Sequence, residues 1–161
     1  MILSIDPGPT ESAYVLMDID LKPQEFGKIP NDEMISVIDN ICFHEKGTQV
    51  VIEMIASYGM PVGQTVFETC VWIGRFIEVA GDSFVQYIYR LEEKTNLCHN
   101  SQAKDSNITH ALIDRFAQHD IKRGKGTKAN PDWFYGFKSD IWAAYAVGVT
   151  YYDQYLKKVN P

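Results

Sequence analysis

The stretch ILSIDPGPTESAYVLMD, residues 2–18, sets the architecture of the chain. Residues 2–5 and 12–17 are runs of strand-forming side chains, and Pro7, Gly8 and Pro9 stand between them. Proline pre-sets φ and glycine permits a tight reversal, so the pattern predicts two strands joined by a turn. Asp6 closes the first run. On its own, such a carboxylate reads as a surface turn-former. At the rim of a buried strand it raises a question, because ionised groups are seldom buried without a partner.

Residues 25–29 read as a third strand. From Pro30 the period changes: Met34, Ile35, Val37, Ile38, Ile41 and Cys42 lie at helical spacing, with Asn31 available as a cap. QVVIEM, residues 49–54, is a short apolar strand with Glu53 near its end. After the loop IASYGMPVG, Gln64–Ala80 is helical, with Val66, Cys70, Ile73 and Ile77 on its apolar face. SFVQYIYR, residues 83–90, alternates like a strand. Residues 104–118 form a helix with Ile108, Ala111, Leu112 and Phe116 spaced for a core, and residues 138–157 form the last helix. Its inner stretch, IWAAYAVGVTYY, is apolar on most sides and is expected to be buried. Three meandering strands followed by alternating helices and strands predict an α/β fold, a mixed sheet with helices on its faces.

The composition sets bounds. The 161 residues are 45% hydrophobic and 22% charged, which suits one globular domain spanning 1–161. Cys42, Cys70 and Cys98 are widely spaced, so neither a zinc site nor a disulfide framework is indicated. No apolar run reaches the roughly 18 residues of a membrane span, and no signal-peptide pattern opens the chain. A soluble cytoplasmic protein is the expectation. The net charge of −6 argues against a uniformly basic nucleic-acid surface, yet Lys122, Arg123, Lys125 and Lys128 cluster in KRGKGTK without an acid among them. GKGTK lacks the spacing of a phosphate-binding loop, and His44, His99, His110 and His119 have no ligand spacing.

Asp6, Glu53 and Asp140 are the acids that could carry chemistry. Two sit on strands and one opens the most apolar helix, where Ser139 or Asp140 also has an ordinary capping role. If the three converge on one rim of the sheet, they repel one another in apolar surroundings and require a cation. Oxygen-only ligands favour magnesium or manganese. Two such ions about 4 Å apart would activate water and stabilise the leaving oxygen in phosphodiester hydrolysis.

SIDPG at 4–8, VVIEM at 50–54, QAKDSNITHALIDRF at 102–116 and SDIWAAYAV at 139–147 resemble, in order and separation, the blocks of RuvC-type Holliday junction resolvases of the ribonuclease H-like superfamily. Short length and divergent connecting segments look more like the phage-borne branch, which would place the protein in a host cytoplasm. The resemblance implies a ribonuclease H-like mixed five-stranded sheet, a metal-dependent endonuclease for four-way and related branched DNA, and a homodimer. It carries the metal-ligand role to Asp6, Glu53 and Asp140, and a place near the scissile phosphate to Lys104. Gln64–Ala80 and residues 104–118 are the two helices to search for the dimer interface.

One departure stands out. The family has an acid or a histidine one helical turn before the last Asp, and this chain has Phe137 there. Asp132 is a candidate substitute, while Glu68 reads as a helix-surface acid. The expectation is therefore one tightly held Mg²⁺ or Mn²⁺ with a weaker second. Arg90, Lys94, Lys104, Lys122, Arg123, Lys125 and Lys128 are expected to take phosphates. Tyr58 and Met60 are placed either to stack at an unpaired base or to pack their own loop. Phe137 also motivates an alternative, a junction-binding protein with weak or no catalysis. IDPGPTESAYVL motivates another, an actin-like phosphotransferase, for which the chain is too short to form two lobes.

Overall fold

The computed structural model describes residues 1–57, 59–81 and 85–157. Five strands, β1 (Ile2–Asp6), β2 (Glu11–Met17), β3 (Pro23–Pro30), β4 (Gln49–Met54) and β5 (Val85–Tyr89), form one sheet in the order β3-β2-β1-β4-β5. The β1-β2-β3 meander is antiparallel, and β4 and β5 add in parallel to β1. The expected mixed five-stranded sheet is therefore present. The parallel half needs crossovers, which the helices supply.

Strand alternation sends side chains to opposite faces. Leu3, Ile5, Tyr14, Leu16, Val50 and Ile52 pack against helices α1 (Asn31–His44) and α2 (Gln64–Ala80). Ile2, Ala13, Val15, Met17 and Val51 pack on the other face, under α5 (Ile141–Tyr151) and beside α4 (Asp105–Phe116). The α5 helix lies very close to the sheet at Gly148. A Cβ there would meet Met17 Cε at 2.4 Å and Ser4 Oγ at 2.9 Å, so only glycine allows this approach.

Three local features depart from the sequence reading. Helix α3 (Arg90–Cys98) follows β5 without a break, where the sequence shows only the polar run RLEEKTNLC. It is started by the Glu92 carboxylate, which accepts the Tyr89 backbone N–H at 2.8 Å. The last helix begins at Ile141 rather than 138, because Ser139 takes a left-handed φ of 47° that breaks the helical path. It ends in a π-helical turn, Tyr152–Leu156. Asn31 is not a cap: it lies inside the first turn of α1, and Pro30 holds the cap position. The expected strand start at 83–84 lies outside the described residues.

Candidate active site

The site is built where β1 and β4 end side by side. Ile5 faces Ile52 in parallel register, so Asp6 and Glu53 follow on neighbouring strands, close enough for Glu53 to raise the Asp6 carboxyl. The turn after Asp6 is held from below. Gly8 N–H donates to Ser12 Oγ at 3.2 Å, and Ser12 Oγ donates to Asn31 Oδ1 at 2.6 Å. Asn31 Nδ2 donates to the Gly8 carbonyl at 2.9 Å. A Cβ on Gly8 would lie 2.4 Å from the Glu11 carbonyl oxygen, so glycine is required for the turn. This network fixes the direction in which Asp6 leaves β1, and it explains why Asn31 is buried.

Asp140 arrives from the residue before α5 and meets Lys28 of β3, whose Nζ donates to Oδ2 at 2.7 Å. Three grooves converge on these groups. A cleft of about 210 Å³ holds Asp6, Glu53 and Arg90, a second groove holds Arg90, Asp105 and Asp140, and a third holds Asp6, Lys28 and Asp140. The sequence-predicted acids thus share one rim of the sheet, bracketed by two cations.

Their electrostatics are those of a site short of positive charge. Burial, then Glu53, then Asp140 push the Asp6 carboxyl up to about 8, against the pull of Arg90 and Lys28. Burial raises Glu53 as well; Asp105 adds to this and Arg90 opposes it. The pair therefore retains a proton where ordinary carboxyls have none. A divalent cation relieves the same repulsion, and an all-oxygen donor set suits Mg²⁺ or Mn²⁺. Among the described residues no three acids, histidines or cysteines stand grouped as ion ligands, and Asp140 is paired with Lys28. The donor chemistry fits a hard cation, and the Lys28 contact has to yield for Asp140 to join it.

Arg90 is the first residue of α3. Its Nη1 donates to Glu93 Oε2 at 2.6 Å and its Nη2 to Asp105 Oδ1. Burial opposes its charge, but Glu93 and Asp105 more than restore it and raise its pKa. Glu93 is fully buried, and burial followed by the field of Glu53 raises it well above the carboxylate range, with Arg90 opposing. Sequence reasoning missed Glu93. The only available signal was its spacing three residues after Arg90, which places both on one helix face only once a helix is recognised there.

One expected ligand is corrected, and so is the place given to Phe137. Asp132 does not join the acids. Its two oxygens accept the N–H groups of Gln118, His119, Asp120 and Trp133 at 2.6–2.9 Å, locking the loop before α5. Burial works against its charge, but these four donors overcome that and hold the carboxyl far below its usual range. Phe137 is 1% exposed, with its ring centroid 4.7 Å from that of Phe26 and 5.2 Å from that of Phe134. Because the helix starts at Ile141, residue 137 does not share the face of Asp140.

The expected DNA contacts divide. Arg90 lines the cleft itself. Lys104 is exposed at the start of α4, beside the Asp105 that binds Arg90, and Lys94 lies one turn along α3. Lys122, Arg123, Lys125 and Lys128 sit in the loop between α4 and α5. Asp120 shapes that loop by accepting the N–H groups of Arg123, Lys125 and Gly126 at 3.0–3.3 Å. None of these four lines the three grooves around the acids. Glu68 is on the exposed surface of α2, taking a hydrogen bond from Gln64. Met60 is exposed, and Tyr58 lies outside the described residues.

No family model matches the chain, and no curated protein matches it in sequence. Among solved structures it is similar to Thermus thermophilus RuvC in complex with a Holliday junction substrate. That match has a TM-score of 0.66 and 13% identity, and covers 93% of this chain and 91% of that one. A Thermus thermophilus RuvC structure matches with a TM-score of 0.66 and 11% identity, over 95% of both chains. At these identities the likeness establishes the fold, a RuvC-like, ribonuclease H-like α/β sheet over nearly the whole chain.

Proposed function

We propose that this chain is a divalent-metal-dependent, structure-selective endonuclease that cuts Holliday junctions and related branched DNA by phosphodiester hydrolysis. The observation that carries the reading is the Asp6–Glu53 pair with Asp140 at one rim of a RuvC-like sheet, where burial and then the two neighbouring acids push Asp6 up to about 8. Asp6, Glu53 and Asp140 would hold Mg²⁺ or Mn²⁺, one ion firmly and a second weakly. When bound, such ions would supply Lewis acidity and lower the barrier to attack by water. The chain's own residues do the rest. Arg90 presents a fixed cation to the scissile phosphate, Lys28 exchanges Asp140 for phosphate or solvent, and Lys104 and Lys94 take flanking phosphates. The 122–128 loop contributes attraction at longer range. Such DNA is met in the cytoplasm, that of the host where the gene is phage-borne.

A four-way junction presents two symmetric strands, which a C2 dimer matches. Of the two candidate helices, α2 suits an interface. It exposes Phe67 and Val71, and a Cβ on Gly74 would meet nothing within 4 Å, whereas the exposed positions of α4 are Asp105, Ser106, Asn107, His110, Asp114 and Arg115. The Lys28–Asp140 pair favours one rival, a junction binder in which Lys28 keeps the acids from an ion. Incubating the protein with matched four-way, three-way and linear DNA, with and without magnesium, separates the two. Paired nicks in the four-way DNA that need magnesium are expected. Tight binding without any nick at high magnesium or manganese would leave the junction binder.

A further inference from the structure

We infer that Glu93 is a positioning residue for cleavage: with Asp105, it holds the Arg90 guanidinium off the Asp6–Glu53 pair and in line with the scissile phosphate. The inference rests on the nuclease reading above and deepens it. Three observations support it. Glu93 is fully buried, yet its Oε1 has no hydrogen-bond partner among the described residues. Burying a carboxyl group with one oxygen unpartnered costs stability, so such a group calls for a role other than stability. Next, Oε2 takes Arg90 Nη1 at 2.6 Å while Asp105, on a different helix, takes Nη2. A guanidinium gripped at both terminal nitrogens has its plane fixed, with N–H donors to spare. Finally, Arg90 lines both the cleft of Asp6 and Glu53 and the groove of Asp140.

Arg90 already feels the Asp6 and Glu53 charges. Released from Glu93, its flexible side chain would fold onto those two carboxylates and neutralise them. The acids would then bind a divalent ion less well, and the phosphate would no longer meet the cation. Glu93 and Asp105 prevent both by competing for the guanidinium. A preorganised cation costs no rearrangement when charge develops on the phosphate.

The test measures single-turnover cleavage of a synthetic four-way junction across a magnesium titration. The proteins are the parent, Arg90→Gln, Glu93→Gln, the double variant and Asp105→Asn, with thermal melts alongside. Arg90→Gln should cut about 100-fold more slowly at saturating magnesium, in the range of a missing transition-state donor. Glu93→Gln should be slower and also need several-fold more magnesium, because Arg90 now occupies the acids. The double variant should cut no more slowly than Arg90→Gln alone, with its magnesium midpoint back at the parental value. A purely structural role for Glu93 does not produce that return. Rate reductions that multiply in the double variant, or a midpoint that stays raised, would overturn the inference. If Glu93→Gln fails to fold, Asp105→Asn decides. Asp105 is 85% exposed, so its replacement spares the fold. The inference requires a raised midpoint there too, and a parental one contradicts it. A parent that does not cut at all removes the nuclease reading, and this inference with it.

Discussion

Asp6 shows how one carboxylate links sequence, stability and function. Its place at a strand end before Pro-Gly was legible in the chain, and so was its need for a partner. The supporting bonds from Ser12 and Asn31 to the turn were not, since they join residues 19 and 23 positions apart through tertiary contact. The raised pKa makes a prediction with a definite sign. An acid whose folded pKa lies above its unfolded value contributes most to stability below the unfolded value, and that contribution disappears as pH rises through the folded one. Burial raises Glu53 and Glu93 in the same direction. Without divalent ions the protein should therefore melt at lower temperature as pH rises from about 4 to about 8. Asp6→Asn should flatten that slope and raise the melting temperature at pH 8, by about 2–4 °C for each kcal/mol of repulsion removed. Magnesium should stabilise the parent more at pH 8 than at pH 6, because the ligands must lose their proton to bind it. A parent melting curve independent of pH across this window would mean that the acids are not crowded as described.

At the scale of elements, periodicity revealed what is amphipathic and concealed what is not. β4 and α2 run over the residues their patterns predict, β4 because Val50, Val51 and Ile52 make a short continuous apolar run, and α2 because Ile73, Phe76 and Ala80 give it one apolar face. α3 has only one buried residue, Glu93, and a polar run of that kind carries no period to read. The start of α5 was misplaced because nothing in Lys138-Ser139-Asp140 marks the left-handed Ser139. That correction reverses an expectation about Phe137. Phe137→Asp would place a carboxylate among Phe26, Phe134, Trp142 and Tyr145 rather than beside Asp140. It should destabilise the fold by at least the ~3–5 kcal/mol of a deleted buried aromatic, and should not lower the magnesium requirement. Denaturant melts of the variant check the first outcome, and a magnesium titration the second. The exposed face of α2 makes a separate prediction. Phe67 is 61% exposed and Val71 64%, one turn apart, so Phe67→Asp with Val71→Asp should leave the monomer fold intact and lower the mass seen in light scattering from dimer to monomer. A dimer that survives both changes would place the interface elsewhere.

At the scale of the whole molecule, charge is distributed so that local features act against the global sum. The chain carries a net −6, with the 122–128 run as its most concentrated cationic segment. That loop is held in shape by Asp120 and Asp132; Arg123 Nε lies 3.8 Å from Asp120 Oδ2, while Lys122 and Lys128 stand exposed on it. Changing Lys122, Arg123, Lys125 and Lys128 to Gln should weaken junction binding and flatten its dependence on salt, by up to about 0.9 in log–log slope for each phosphate no longer neutralised. Cleavage at saturating protein should suffer less, since none of the four lines the acid grooves. An unchanged slope would make the run an ordinary solvated loop.

Everything proposed for this protein depends on the acids at the rim of the sheet cutting branched DNA. The decisive comparison sets the parent against Asp6→Asn on one labelled four-way junction, scoring binding and strand scission in the same samples with magnesium present. The parent should nick the junction, whereas Asp6→Asn should bind it at least as tightly, having shed a charge that repels phosphate, and leave it uncut. Scission by Asp6→Asn at the parental rate would contradict the assignment of these acids.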